Sequence, residues 1–177
     1  MTDLAPLLKK LSSGDDNAFE ASDNLARIGS EEVVTAMVNL LESPDLEIRF
    51  LASRTLGLIE NNENGLAPLM LAIHNAENAS ITGDLMMALE GFDVSTIFLD
   101  LFKLYLFGSF KVSRMAKELL DFKEFEITPR LIRKAQKHWN HYSNNVKQDE
   151  AYLIRKKEVE EIFEDLNGFL EDMNDEK

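Results

Sequence analysis

Apolar residues recur three and four positions apart along the whole chain, and there is little sustained alternation of the kind that marks strands. The spacing predicts helices over 3–12, 16–28, 31–42, 44–61, 65–76, 79–91, 94–107, 110–122, 128–146 and 149–170. The punctuation agrees with these bounds. Ser43-Pro44 and Thr128-Pro129 each place a capping hydroxyl before a proline, whose missing N–H would be unpaired in a first turn anyway. Gly29, Gly91 and Gly108 fall where helices should end. Pro68 is expected in the first turn of its helix, where the hydrogen-bond ladder has not begun.

The helices repeat. Segments starting at Ala21, Ala52, Leu85 and Ala116 are related by shifts of 31, 33 and 31 residues. Four residues further on, every copy carries leucine, as Leu25, Leu56, Leu89 and Leu120. Three beyond that come Ile28, Ile59 and Phe92, with Lys123 breaking the series; upstream, Ile48, Ile81 and Val112 match, against Asn17 in the first copy. A second apolar helix follows each of the first two, with Val34, Met37, Val38 and Leu41 matching Leu66, Leu69, Met70 and Ile73. The unit is a helix–turn–helix of about 32 residues, which cannot bury its own stripe and must stack on neighbours. Alanines 21, 52 and 116 would let successive helices approach closely.

The second copy, running from Asp45 through Ile48-Arg49 and Ala52 to Leu56-Gly57, resembles the short HEAT repeat of the bilin-lyase type. The likeness extends over roughly residues 15–145 and is close only in that copy: Asn17-Ala18, Thr82 and Ser113-Arg114 stand where the apolar-Arg pair would be. Tetratricopeptide and ankyrin signatures are absent. The resemblance implies a right-handed α-α superhelix of antiparallel helix pairs, an ARM-like solenoid that in that family mainly holds partners.

Charge sharpens this picture. The 177 residues contain 19 Lys+Arg against 32 Asp+Glu, a net charge of −13, which disfavours generic binding to nucleic acid or anionic membrane. The distribution is uneven: −6 over residues 1–60, −5 over 61–110, +5 over 111–147 and −7 over 148–177. Within the basic island Arg130, Arg133, Lys134, Lys137 and His141 share one helical face. That face reads either as a docking patch for an acidic or phosphate-bearing partner, or as a surface neutralised by Glu160, Glu161, Glu164 and Asp165 of the last helix. Val159, Ile162, Phe163, Leu166 and Phe169 give that last helix an apolar stripe suited to capping a solenoid; partner binding or dimerisation is the rival reading, and the tail from Glu171 to Lys177 is expected to fray.

Residues in patterns that carry chemistry are few. There are no cysteines, and no phosphate-binding glycine loop, H-E-x-x-H, G-x-S-x-G or EF-hand series. His138 and His141, three apart, with His74 distant, would need a carboxylate from another helix to hold a metal, so none is expected. Glu31-Glu32 and Asp15-Asp16 lie at predicted helix starts, where acids complement the dipole. Phe98, Leu101, Phe102, Leu104, Tyr105, Leu106 and Phe107 are expected as core rather than as a cofactor pocket.

The expectation is therefore an all-α, HEAT-like solenoid over 1–147, with a C-terminal capping helix and acidic tail over 148–177. It is read as a non-enzymatic scaffold or adaptor without cofactors, binding another protein along the concave face formed by the second helices. Candidate contacts are Glu31, Glu32, Thr35 and Asn39, then His74, then Thr96, Asp100 and Lys103, then Arg130, Arg133, Lys134, Lys137 and His141. A HEAT-like enzyme or chaperone of the bilin-lyase type, and a nucleic-acid binder acting through 128–146, are the alternatives. The opening MTDLAPLLKKLSSGDD has no basic leader before an apolar stretch, and Asp100 and Lys103 interrupt the most apolar region. A cytoplasmic protein that does not enter membranes is the expectation.

Overall fold

The computed structural model describes residues 3–13 and 17–175, with side chains through Glu171. Every regular element among them is helical, and the chain forms two compact units that meet in sequence at Asp93 and Val94. The first carries 5 basic and 16 acidic side chains, the second 14 and 16, so net charges of −11 and −2 divide between them. The sequence-derived boundary at 147/148 separates repeat from final helix, and that helix folds as part of the second unit.

The first unit contains α1 (Ala5–Leu11), α2 (Asn17–Ile28), α3 (Glu31–Leu40), α4 (Leu46–Leu58), α5 (Glu63–His74) and α6 (Thr82–Met86), which tightens directly into a 3₁₀ segment, Met87–Gly91. A shorter 3₁₀ turn, Ala76–Asn78, precedes α6. Helix α4 packs between α2 and the α6–3₁₀ segment, while α3 packs on α4 and α5, and α1 lies against α2. First and second helices of the predicted pairs thus form two layers within this unit. The repeat register is the core: Ala21, Ala52 and Leu85, with Leu25, Leu56 and Leu89, are buried. Small residues allow the tightest approach. A Cβ on Gly57 would lie 2.6 Å from the Ala88 carbonyl oxygen, and one on Gly91 only 1.7 Å from that of Gly57.

Buried polar groups are satisfied in chains. Arg54 donates to Ser22 Oγ, 2.8 Å, and to Asp23, 2.7 Å. The Thr55 hydroxyl gives its proton to the Leu51 carbonyl, 2.8 Å, so Ser22 Oγ donates across the 2.9 Å Ser22–Thr55 contact. Arg49, buried at the register position three before Ala52, donates through Nε to the Ser43 carbonyl and through Nη1 to Asn78 Oδ1, 2.6 Å.

The second unit contains α7 (Phe98–Phe107), α8 (Phe110–Phe122), α9 (Pro129–Asn145) and α10 (Glu150–Asp175). Helix α7 packs on α8 and α9, and α10 packs on α9. Its centre is aromatic. Phe98 stacks on Phe102 at 5.9 Å, while Phe125 meets Phe98 edge-on at 5.3 Å and Phe163 of α10 meets Phe102 at 5.9 Å. Val159 and Leu166 of the predicted α10 stripe are buried.

Several local expectations change. Helix α4 starts after Pro44, and its cap is Asp45, whose carboxylate accepts from Glu47 N at 2.8 Å; Ser43 Oγ instead accepts from Asp45 N at 3.2 Å. Thr128 caps α9 as expected, accepting from Leu131 N at 3.1 Å. Because α5 starts at Glu63, Pro68 lies inside it and cannot donate to the Asn64 carbonyl. The single helix expected over 79–91 is a short α-turn followed by 3₁₀. In the fourth copy Leu119 is buried and Leu120 half-buried; Phe107 is 52% exposed, unlike the rest of its aromatic run. Gly29 ends α2 with φ of 55°, the left-handed geometry that glycine adopts without a Cβ penalty. Asp15-Asp16 lies outside the described residues, and α10 continues past Glu171 to Asp175.

Candidate partner-binding face

Helix α9 separates apolar and cationic residues cleanly. Ala135 and Trp139 are buried, with Leu131 and Ile132 half-buried beside them. Trp139 is fixed by two stacked rings, Tyr142 at 5.8 Å and Tyr152 of α10 at 5.9 Å. That anchoring turns Arg130, Arg133, Lys134 and Lys137 outward, and all four are exposed. None makes an ion pair among the described residues. The acids expected to neutralise them are occupied on their own helix where they pair: Lys156 with Glu160 and Lys157 with Glu161.

His141 departs from the stripe in character. Its ring lies 6.0 Å from Phe107, and Asn145 Nδ2 donates to its carbonyl at 2.7 Å, so it belongs partly to the aromatic cluster. His138 is half-buried, and burial first, then the positive charge of Lys103 and His141, holds its pKa below the usual 6.5. The folded chain therefore resists protonation that the unfolded chain accepts. Stability contributed by neutral His138 is complete above pH 6.5 and falls as pH drops through that value toward the lowered one. His138→Gln should flatten that slope in urea titrations between pH 7 and 5, on the order of the unperturbed histidine range; an unchanged slope would exclude His138 as its source. No group of three or more His, Asp or Glu side chains suited to a metal occurs among the described residues.

In the first unit Glu31, Glu32, Thr35 and Asn39 are exposed on α3, behind the Ser30 cap whose hydroxyl accepts from Val33 N. His74 and Thr96 are exposed too, and Asp100 and Lys103 pair with each other on α7 at 3.4 Å.

Sequence reasoning missed a second arrangement, centred on Arg155 of α10. Its guanidinium donates to the Tyr105 carbonyl at 2.9 Å, the Leu106 carbonyl at 3.0 Å and Ser113 Oγ at 2.8 Å, closing the C-terminus of α7. It also lies 4.8 Å from the Tyr105 ring centre. The Tyr105 hydroxyl donates to Glu158 at 2.5 Å, and burial, followed by that hydrogen bond and charge, pushes the phenol well above its usual range. The only sequence signal near this network is Gly108, the glycine that ends the aromatic helix.

Neither a family model, nor a curated protein, nor a solved structure matches this chain. No helix among the described residues is long and apolar enough to cross a membrane.

Proposed function

We propose that the chain is a non-enzymatic, HEAT-like superhelical module that holds an acidic segment of a partner protein against the exposed face of α9. The observation that carries this reading is the set of four exposed cations, Arg130, Arg133, Lys134 and Lys137, without an ion pair among the described residues of a chain of net charge −13. Like charges spaced three and four apart on a helix repel by about 0.2–0.5 kcal/mol per pair. An acidic partner relieves that repulsion and gains from a pre-formed stripe, which favours rate of encounter and orientation more than raw affinity. The HEAT-type motif around Arg49 and Ala52, and the two-layer packing within the first unit, support the architectural half of the reading. Glu31, Glu32, Thr35 and Asn39 are proposed as a further contact patch, suited by its two exposed carboxylates to a basic segment of a partner.

The test is a titration of the full chain with a fluorescein-labelled, glutamate-rich peptide. Binding is expected, and weakens as salt rises because exposed charges are screened. Arg133→Glu combined with Lys137→Glu is expected to weaken it by about tenfold or more, with the far-UV circular dichroism unchanged. Equal affinity in that variant would exclude the α9 face. A DNA oligonucleotide bound more tightly than the acidic peptide would favour the nucleic-acid reading instead.

A further inference from the structure

Away from the cationic face of α9, the second unit carries a groove that runs beside the Arg155 network. Its floor includes Phe98 and Tyr105 of α7, and α8 and α10 form its walls. One part, about 490 Å³, is an apolar slot between Phe125 and Ile127 on one side and Ile162, Leu166 and Phe169 on the other. The other part, about 520 Å³, lies between Phe110 and Phe122 of α8 and Ile154 of α10. Asp121, near the end of α8, lines both parts, so they adjoin there. Large apolar side chains stand in water along the rim: Phe110 is 85% exposed, Phe122 82%, Ile154 59% and Phe169 49%. Groove-lining positions on α10 run from Ala151 to Phe169, which at 1.5 Å per residue is about 27 Å, or five helical turns.

The charges on this rim select an occupant. Lys117 is engaged by Asp121 through both carboxylate oxygens, Arg155 by the end of α7, and Glu158 by Tyr105. Glu118, Glu124 and Asp165 remain without an ion pair among the described residues, against Arg114 as the one comparably unengaged lining cation. A long apolar trough bordered by uncompensated carboxylates matches an amphipathic helix whose apolar stripe is flanked by Lys and Arg. We infer that the α8–α10 groove binds a basic amphipathic helix of a partner protein, about five turns long. The inference is independent of the α9 face: one surface takes acid, the other takes base.

Two labelled 18-residue helical peptides test it, sharing one leucine stripe and differing in flanks, lysine–arginine in one and glutamate in the other. The basic peptide is expected to bind saturably, and the acidic one to bind at least about tenfold more weakly. Phe122→Asp and Phe169→Asp are each expected to weaken the basic peptide by about tenfold, because each removes an apolar anchor. Both substitutions add negative charge, so a merely electrostatic attraction to this acidic chain would strengthen instead. Arg133→Glu with Lys137→Glu should leave this affinity unchanged. Equal binding of both peptides, or no weakening in either phenylalanine variant, would overturn the inference. So would a concentration-dependent dimer in sedimentation that Phe122→Asp abolishes, since the groove would then belong to a second copy.

Discussion

Gly91→Ala is expected to destabilise the first unit by about 3 kcal/mol or more, and Gly168→Ala to stabilise α10 by about 0.5–1 kcal/mol. The same methyl group has opposite effects because of what it meets. At Gly91 it would arrive 1.7 Å from the Gly57 carbonyl oxygen and 2.7 Å from its carbon, both backbone atoms of α4 that cannot swing aside. Relief requires the 3₁₀ segment to lift off α4, opening the buried contacts of Leu85 and Leu89. At Gly168 nothing lies within 4 Å, so alanine only removes the conformational freedom that glycine gives the unfolded chain. Urea denaturation followed by far-UV circular dichroism measures both. A loss below about 1 kcal/mol at Gly91, well short of an overpacking penalty, would mean that α4 and the 3₁₀ segment do not touch in solution.

Arg155→Met should cost the second unit about 2–3 kcal/mol, the sum expected from charged hydrogen bonds and a cation–π contact in a partly buried site. Methionine keeps the aliphatic bulk but leaves the Tyr105 and Leu106 carbonyls without the donor they have now. Arg155→Lys is expected to recover only part of the loss, since an ammonium cannot reach two carbonyls and Ser113 Oγ with a planar fork. For a chain of this size, 2–3 kcal/mol corresponds to a fall in Tm of about 5–10 °C. Full recovery by lysine would show that charge at the α7 terminus, rather than directed hydrogen bonding, is what matters.

These two sites differ in how far the sequence reveals them. Most helix bounds follow from apolar spacing, and the buried residues Ala21, Ala52, Leu85 and Ala116 fall on the repeat register. Gly57 and Gly91 are visible as glycines near helix ends, but their mutual contact depends on how two helices cross, which local spacing does not encode. Thr82 and Ser113 read as departures from the arginine at position 49. In the structure Ala18, Arg49, Thr82 and Ser113 are all buried at that register, so the position is set by packing rather than by charge. The guanidinium that Arg49 brings to the carbonyl of Ser43, just beyond α3, reaches the end of α7 from Arg155, 42 residues after Ser113. Nothing in local sequence links those two places. The cationic face of α9 is legible because helical period and charge are both local properties; the apolar groove is not, because it exists only where α8 and α10 stand apart over α7.

The aromatic centre of residues 94–177 also divides the chain optically. Trp139 and all three tyrosines, Tyr105, Tyr142 and Tyr152, lie in that half, and the first unit has only phenylalanine. Intrinsic fluorescence excited at the indole band therefore reports one unit, with the other dark, while far-UV dichroism sums helices from both. Fluorescence would follow Arg155→Met and be blind to local loss at Gly91→Ala. Superimposable melting curves from the two signals would mean that the units unfold as one; separated midpoints would give each unit its own stability without cutting the chain.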